Sequence, residues 1–539
     1  MKTRLTLSVL SISAAFLVTA CCPKNPELNT AISAHGNTDW HIDTAEEFLF
    51  GTDMAGNTTA TNHCPNSWTR RHMHVGKTNT NHYYYDKDLT TPGDDANITD
   101  GIDRAMLFFY AGHGSPTLWN TLGNNASQDH MRLGDCPGNG LLRYYWQCSC
   151  EVFAHGPRSC PGATFHYACP GSFDGSADSF NMRNVYERWG PALDPDLRMA
   201  CGASTSAYCH ETQTNQIWEH YNVDGYDVAD SFIYGLDFWG VVPLCITMGG
   251  PNVTTTPLYD TKFTNQPNTS GTSHYHIQYL SQFDSAPRWK LKLPAIPPIL
   301  PIYELKPMPM PRRFSRARLS TAGDFMVSSD VVEERGPRMK VSRLSGAVYV
   351  VGKRDVSGKG PVLKEADYVE QARSFIQEQG WMEESGSDLV GAKFEIESAP
   401  VNGKRGDTKR TQKNIVASVR RAIDVEGVPV PVLGEGGIIS LQLNNDGSVF
   451  NARKVWRQIS GVKRQAPIKS YEEAHKEAFA KLKYPREYKL DQWTWGYKEA
   501  AGSVSQTEMR IVFRFMFIPV DPGKTLEHPP RMIEIPGQT

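Results

Sequence analysis

A short run of apolar and aromatic residues, 106–110, constrains the fold of this 539-residue chain more than any other stretch. Such a run is typical of a strand that is buried on both faces, as in a parallel sheet. The run stops at Gly112, His113 and Gly114, where the two glycines permit a sharp turn. The sequence therefore predicts a histidine at the C-terminal edge of a strand, which is where open α/β sheets bind their ligands.

A second apolar run, residues 141–146, leads into Cys148 and Cys150. If these two runs are neighbouring parallel strands, a histidine and a cysteine meet at one edge of the sheet. An imidazole transfers protons near neutral pH, and a thiolate is a strong nucleophile. We therefore predict a catalytic pair of His113 and Cys150, with Cys148 as the alternative nucleophile. Cys150 is preferred because it lies where the chain turns towards Glu151.

The segment Phe108-Phe-Tyr-Ala-Gly-His-Gly-Ser115 resembles the histidine motif of metacaspases, one of the caspase-like families that also include gingipains and separases. More closely, residues 40–280 resemble an uncharacterised bacterial family with the same Gly-His-Gly-Ser segment. The resemblance implies a caspase-like α/β domain and a cysteine endopeptidase, with an oxyanion site at the backbone N–H groups of Gly114 and the cysteine. The cysteine segment here, Gln-Cys-Ser-Cys-Glu, lacks the preceding aspartate that is usual in metacaspases.

The rest of this half alternates between strand and helix patterns. Residues 196–202 and 241–248 read as strands, whereas residues 207–221 and 228–239 read as helices with Ile217 and Trp218 among the inward positions. Alternating strands and helices favour a doubly wound, mainly parallel sheet. This pattern predicts the same fold class as the resemblance does.

The first residues have the features of an export signal. Lys2 and Arg4 precede an apolar core at residues 5–18, and small residues precede Cys21 as in a bacterial lipobox. We expect acylation of Cys21, or otherwise cleavage of an ordinary signal peptide nearby. Because Cys22 rather than aspartate follows, the lipid anchor is expected in the outer membrane if the cell has one. No later stretch is apolar over the 18 or more residues of a membrane span.

Ten cysteines remain after Cys21, and all of them precede residue 246. Exported proteins form disulfides, so pairs such as Cys160 with Cys169 and Cys201 with Cys209 are candidates. Catalysis requires that at least one cysteine of the motif stays free. If both are oxidised, the chain is a catalytically inactive caspase-like binding or scaffold protein of the cell envelope.

Few residues point to a bound metal or cofactor, and we expect neither. The one candidate cluster combines His72 and His74 with His63 and Cys64, which does not match the ligand spacing of a structural zinc site. The expected partner is a protein or peptide substrate. By position alone, Asp103 or Asp230 would select a basic residue next to the scissile bond.

A proline-rich stretch, residues 294–312, is predicted as a semi-rigid linker between a caspase-like domain at 22–293 and a different region at 313–539. Beyond the linker we predict a hairpin at 339–351, a helix at 365–380 and a further helix that begins with a capping box at Ser470. The segment from Gly427 to Gly447 resembles the PepSY-type propeptide modules of secreted thermolysin-like peptidases. Two units, each a helix followed by antiparallel strands, fit an α+β, cystatin-like layout, and the resemblance implies that such modules act as chaperones and inhibitors.

The two halves carry opposite charge. Residues 22–300 contain 16 basic and 28 acidic residues, a net charge of −12, whereas residues 301–539 contain 38 basic and 30 acidic residues, a net charge of +8. Opposite potentials favour association, so we expect the basic half to dock on the acidic half as a regulatory module. Nucleic-acid binding is not expected, because the basic residues are interspersed with acidic ones.

Overall fold

The computed structural model describes part of the chain. The described residues are 29–34, 69–75, 106–111, 118–121, 124–127, 142–148, 153, 189–193, 196–203, 216–236, 243–264, 266–282, 295–307, 319–322, 325–328, 338–342, 344–352, 354–355, 361–381, 389–401, 408–500, 505–520 and 531–539. The chain divides into two compact units. The first contains Met1–Asn222, Tyr226–Leu280 and Glu395–Thr411; the second contains Val223–Gly225, Ser281–Phe394 and Gln412–Thr539.

Nine strands, one complete α-helix and a shorter α-helical stretch at 216–219 are described before residue 283. The strands are β1 (Asn29–Ala34), β2 (Thr69–Val75), β3 (Leu107–Ala111), β4 (Leu118–Thr121), β5 (Asn124–Ser127), β6 (Tyr144–Cys148), β7 (Met199–Ala203), β8 (Pro243–Gly249) and β9 (His274–Gln282). A π-helical turn, His220–Asp224, precedes helix α1 (Val228–Leu236). Short 3-10 turns lie at Gly190–Ala192, Val253–Thr255 and Pro257–Tyr259.

The main sheet of the first unit has the strand order β2-β1-β3-β6-β7-β8-β9. The pairs from β2 to β7 are parallel, whereas β8 is antiparallel to both β7 and β9. Strands β4 and β5 form a separate two-stranded hairpin. Residues 107–109 of β3 and all of β6 are buried, as in strands that are covered on both faces of the sheet.

Aromatic side chains fill much of the core of the first unit. Phe108 and Tyr145 stack with their ring centroids 5.4 Å apart, and Tyr145 also contacts Trp189. On the other face, Trp146 contacts Trp218 and Phe232. The predicted inward positions Ile217 and Trp218 are confirmed, since both are fully buried.

The described residues of the second unit form two sheets and two α-helices. Its strands are β10 (Ile299–Lys306), β11 (Leu319–Ala322), β12 (Phe325–Ser328), β13 (Arg338–Ser342), β14 (Val348–Val351), β15 (Val390–Pro400), β16 (Lys409–Arg420), β17 (Ala422–Val425), β18 (Val428–Leu433), β19 (Ile438–Leu443), β20 (Val449–Lys454), β21 (Gln458–Pro467), β22 (Tyr488–Lys498), β23 (Glu508–Pro519) and β24 (Arg531–Pro536). Residues 395–400 of β15 and 409–411 of β16 belong to the first unit. The helices are α2 (Glu365–Glu378) and α3 (Tyr471–Ala480).

One sheet of the second unit has the order β11-β12-β13-β14-β20-β19-β16, and the other has the order β17-β18-β22-β23-β10-β21 with β24 beside β23. Helix α2 packs Tyr368, Ala372 and Ile376 against the first of these sheets, and α3 contributes Ala474 and Ala478 to the core of the second. Each helix therefore buries one apolar stripe, as its sequence pattern predicts.

Local signals in this half are confirmed. The predicted hairpin consists of β13 and β14, and the predicted helices are α2 and α3. The Ser470 side chain accepts a hydrogen bond from the Glu473 N–H while the Glu473 carboxylate accepts one from the Ser470 N–H, which is the predicted capping box. Gly447 has φ of 85° at the turn between β19 and β20, a left-handed conformation that glycine adopts without strain.

The predicted fold class is wrong. We expected an α/β caspase-like domain with a mainly parallel sheet, followed by an α+β cystatin-like region, but the protein is mostly β-sheet and its large sheets mix parallel and antiparallel strands. The error begins at β8. A strand, a helix and a second strand in succession do not fix the direction of the second strand, and β8 runs antiparallel to β7.

The proline-rich stretch contains a strand of the second unit. In β10, Leu300 and Ile302 are fully buried while Ile299 and Glu304 are not, and the strand pairs with β21 along its length. The alternation of apolar side chains is typical of a strand with one buried face. Pro301 has no backbone N–H, so the strand lacks one hydrogen-bond donor at this position. No helix among the described residues is long and apolar enough to cross a membrane.

Candidate active site

Strands β3 and β6 end side by side at one edge of the sheet of the first unit. They pair in parallel from Leu107 opposite Tyr144 to Ala111 opposite Cys148, so the last residues of the two strands face each other. This confirms the predicted adjacency. In sequence, His113 follows Ala111 by two residues and Cys150 follows Cys148 by two residues. Equal offsets from paired strand ends are the feature that links the two predicted catalytic residues.

The predicted catalytic residues His113 and Cys150 and the predicted oxyanion residue Gly114 lie outside the described residues, as does the predicted lipidation site Cys21. Their roles remain predictions. The alternative nucleophile, Cys148, is described.

Cys148 is fully buried at the end of β6 and takes part in a disulfide. A sulfur atom in a disulfide has no thiolate form, so it is not a nucleophile in this state. A second disulfide joins Cys201 of β7 to Cys245 of β8, which are directly paired residues with Cα atoms 4.0 Å apart. This partner differs from the candidate Cys209, because pairing across the sheet brings residue 245 next to residue 201.

Phe153 is the first residue after the cysteine segment that the structure describes. Its N–H donates a hydrogen bond of 3.0 Å to the carbonyl of Ala203, the last residue of β7. Its ring stacks on Trp189 with centroids 4.3 Å apart and lies directly against Gly202. The described residues on both sides of Cys150, at positions 148 and 153, are therefore buried in the core.

A polar cluster lies where strands β6 and β7 begin, at the edge opposite to their paired ends. The Arg198 guanidinium donates two hydrogen bonds of 2.5 Å to the Asp260 carboxylate, and the Tyr144 hydroxyl donates one of 3.0 Å. Burial, together with the charge of Asp260, raises the pKa of Tyr144 well above its usual value, so the hydroxyl stays a donor. The cluster fixes the segment around Asp260 to the sheet.

A buried histidine lies at the same edge. His276 of β9 is fully buried, with Nε2 3.0 Å from the Gly250 carbonyl and Nδ1 2.7 Å from the Ser398 hydroxyl. A carbonyl only accepts, so Nε2 carries the proton and Nδ1 accepts from Ser398. Burial lowers the pKa of His276 to about 4, and His274 nearby adds to this shift. The sequence carries no motif that predicts this pair.

The candidate specificity residue Asp230 is fully buried in α1, and its carboxylate accepts a hydrogen bond of 2.5 Å from the Gln278 amide of β9. In this position the carboxylate is not accessible to a substrate side chain. The other candidate, Asp103, lies outside the described residues.

In the described part of the chain, no group of three or more His, Cys, Asp or Glu residues could hold a metal ion. Of the four residues in the candidate zinc cluster, His63 and Cys64 are not described. His72 and His74 belong to β2.

The second unit has its own buried ionic cluster. Glu499 is fully buried and contacts two arginines, Arg421 at 3.1 Å and Arg457 at 3.4 Å. Its carboxylate also accepts a hydrogen bond of 2.6 Å from the Arg457 N–H. Because one carboxylate contacts both guanidinium groups inside the core, we interpret this cluster as a structural element of the second unit.

The described residues thus define a protein of two compact, sheet-rich units, of which the first has a cysteine segment at the paired ends of parallel strands. No protein-family profile matches the chain, and neither does any curated protein. A solved structure of an uncharacterised protein from Eubacterium rectale ATCC 33656 is 7% identical to it, with a TM-score of 0.28 over 45% of this chain and 84% of the other. A likeness this small carries no functional information.

Proposed function

We propose that this chain is a cysteine endopeptidase of the cell envelope in which Cys150 is the nucleophile and His113 is the general base and acid. The observation that supports the proposal is the register of β3 and β6, in which Ala111 and Cys148 are opposite each other at the strand ends. His113 and Cys150 follow these residues at the same distance in sequence. Because Cys148 is in a disulfide, the nucleophilic role is assigned to Cys150.

The chemistry follows from the two side chains. The Cys150 thiolate forms a bond to the carbonyl carbon of a peptide, and His113 gives a proton to the leaving amine as the C–N bond breaks. Water then attacks the thioester carbon while His113 takes up one of the protons of the water molecule. The C–S bond breaks, which restores the Cys150 thiolate beside a protonated His113, and the product acid loses its remaining proton to solvent. The backbone N–H groups of Gly114 and the cysteine would bind the oxyanion.

The proposal extends to the location and regulation of the protein. Export and acylation at Cys21 would place the peptidase on the surface of an envelope membrane. The basic C-terminal half would act as a regulatory or inhibitory module that docks on the acidic half through opposite charge. A substrate with a basic residue before the scissile bond fits the acidic N-terminal half. This half has a net charge of −12, from 16 basic and 28 acidic residues within 22–300.

The test is covalent labelling of the full mature protein by acyloxymethyl ketones that carry either a lysine or an aspartate next to the reactive group. We expect the lysine probe to label the peptide that contains Cys150, and we expect His113→Ala to abolish labelling. His274→Ala is the matched control, because His274 is a partly exposed histidine of β9 in the same unit. Absence of labelling at Cys150 in the wild-type protein would refute the proposal.

A second candidate function is supported by the disulfides. Among the described residues, Cys148 and the pair Cys201 and Cys245 are oxidised, and all three lie in the sheet that leads to the cysteine segment. An envelope binding or scaffold protein would use this sheet for stability and would have no need of a free thiol at Cys150. Mapping of free thiols in the mature protein separates the two candidates, since only the peptidase requires Cys150 to be reduced.

A further inference from the structure

The turn between helix α3 and strand β22 carries a group of exposed basic side chains. Four of them lie within nine residues: Lys481, Lys483, Arg486 and Lys489. In the described part of the chain, no carboxylate forms an ion pair with any of the four. The turn therefore presents positive charge to its surroundings.

Exposed basic side chains at the opposite ends of the same strands are paired. Lys498 at the end of β22 contacts Glu534, and Arg510 near the start of β23 contacts Glu508. These two basic side chains are 43% and 64% exposed. High exposure and a carboxylate partner are thus compatible in this sheet. The cations of the turn, which pair with no described carboxylate, distinguish that end of the sheet.

Two exposed apolar side chains lie beside these cations. Tyr484 and Val520 are each 51% exposed. The Val520 N–H donates a hydrogen bond of 2.8 Å to the Glu487 carbonyl, and the Glu487 N–H donates one of 3.0 Å to the Tyr484 carbonyl. The Lys483 ammonium lies 5.6 Å from the centre of the Tyr484 ring. We call this surface the Tyr484 patch; it comprises Lys481, Lys483, Tyr484, Arg486, Lys489 and Val520.

Buried neighbours hold the patch in place. Leu482 and Tyr488 belong to the hydrophobic core of the sheet, at 6% and 7% exposure. Between them, Pro485 begins a 3-10 turn, Pro485–Glu487. Because core residues fix the backbone on both sides of the turn, a partner meets a surface that is already ordered. Prior ordering reduces the entropic cost of association.

The dipole of helix α3 accounts for only part of the charge. Cations near the C-terminal end of a helix are stabilising. Lys481 and Lys483 follow α3, which ends at Ala480. Arg486 and Lys489 lie further on, in the 3-10 turn and in β22. This second pair of cations requires another explanation.

The combination of cations and apolar tips fits one kind of partner. Basic side chains attract the anionic headgroups of a lipid bilayer, and aromatic or aliphatic side chains enter the boundary between headgroups and acyl chains. A polyanion in water would pair with the cations but would leave Tyr484 and Val520 exposed. Only the bilayer engages both kinds of side chain.

We propose that the Tyr484 patch binds the surface of an anionic lipid bilayer, with Tyr484 and Val520 inserted among the headgroups. The inference goes beyond the proposed peptidase activity and does not depend on it. If Cys21 is acylated, the patch is a second attachment to the same membrane. A second attachment matters because a single acyl chain holds a protein only reversibly.

The test measures sedimentation of the mature chain, residues 22–539 without an acyl group, with sucrose-loaded vesicles. The vesicles contain phosphatidylcholine alone or phosphatidylcholine with about 30% phosphatidylglycerol. We expect binding to the anionic vesicles that is lost in about 0.5 M salt, because salt screens surface charge. Each basic residue near an anionic surface contributes about fivefold to the partition coefficient. Lys483→Gln combined with Arg486→Gln should therefore lower the coefficient by about 25-fold.

Tyr484→Ser combined with Val520→Ser should lower the partition coefficient by about tenfold, because apolar area is no longer buried. Two controls match these variants. Lys498→Gln with Arg510→Gln removes the same charge from the opposite ends of the same strands, and Val362→Ser removes an apolar side chain that is 60% exposed in the same unit. Both controls should change the coefficient by less than about threefold. Substitutions at such exposed positions have little effect on folding.

The outcomes decide the proposal. Binding to the anionic vesicles that both sets of patch substitutions weaken, and that the controls preserve, supports it whatever the reactivity of Cys150. A wild-type chain that does not bind, or controls that weaken binding as much as the patch substitutions do, overturns it. If Lys483→Gln with Arg486→Gln weakens binding but the serine substitutions do not, the surface recognises a polyanion rather than a bilayer, and the proposal is also overturned.

Discussion

His276 and Ser398 are joined by a hydrogen bond of 2.7 Å between the imidazole Nδ1 and the hydroxyl, although 122 positions separate them in sequence. Both residues are buried in the first unit, and the opposite ring nitrogen donates to the Gly250 carbonyl. The site is built for a neutral imidazole, because the ring donates one hydrogen bond and accepts the other.

This arrangement predicts that acid destabilises the first unit. Burial lowers the pKa of His276 to about 4, below its usual value of 6.5. The unfolded chain therefore binds more protons than the folded chain between these pH values, and stability falls as the pH drops through this window, by about 3 kcal/mol at most. Hydrogen exchange of β8 and β9 peptides at pH 7 and pH 4.5, corrected for intrinsic rates, measures the change.

The variants for this test are His276→Gln and His274→Gln. The first should remove most of the pH dependence of the opening free energy, whereas the second should keep it, because His274 lies at the start of β9 and is only half-buried. An unaltered pH dependence in His276→Gln would show that another group is responsible.

The cluster of Tyr144, Arg198 and Asp260 at the start of β6 and β7 predicts that two substitutions lower the free energy of unfolding by different amounts. Asp260→Asn removes the charge that pairs with Arg198 and leaves a mostly buried guanidinium, so we expect a loss of about 3 kcal/mol. Tyr144→Phe removes the hydrogen bond that the hydroxyl donates to Asp260 and the one that it accepts from the Thr264 N–H, and it should cost about 1–2 kcal/mol. Urea denaturation monitored by tryptophan fluorescence tests both, and equal costs would contradict the account.

The substitution Glu499→Gln should strongly lower the free energy of unfolding of the second unit. The substitution leaves Arg421 and Arg457 buried without a counter-charge, which typically costs about 3–5 kcal/mol. Glu534→Gln is the matched control, because Glu534 pairs with Arg514 at 3.0 Å but is partly exposed. That substitution should cost about 1 kcal/mol or less. Thermal unfolding compares the two, and a small loss in Glu499→Gln would show that the core accommodates the arginines in another way.

The sequence predicts local structure well, because local signals need no knowledge of distant residues. The capping box at Ser470 and the turn at Gly447 are set by neighbours in sequence, and both are present in the structure. The apolar runs before His113 and Cys148 predict strands β3 and β6, and the structure pairs them in parallel, as is typical of strands buried on both faces.

Long-range relationships account for what the sequence did not predict. The direction of β8, and with it the pairing of Cys201 with Cys245 across 44 positions, depends on how the chain returns to the sheet. The contact between His276 and Ser398 depends on β9 and a distant strand. Strand β10 has a proline-rich sequence, and its buried positions depend on its pairing with β21.

The most direct test of the central claim is the labelling of Cys150 by the lysine acyloxymethyl ketone in the wild-type protein and in His113→Ala. The register of β3 and β6 places the two residues at equal distances in sequence beyond paired strand ends. The account predicts that the probe labels Cys150 in the wild-type protein and that labelling is lost in His113→Ala but kept in His274→Ala. Labelling that persists in His113→Ala, or a wild-type protein in which Cys150 is oxidised and unlabelled, would contradict it.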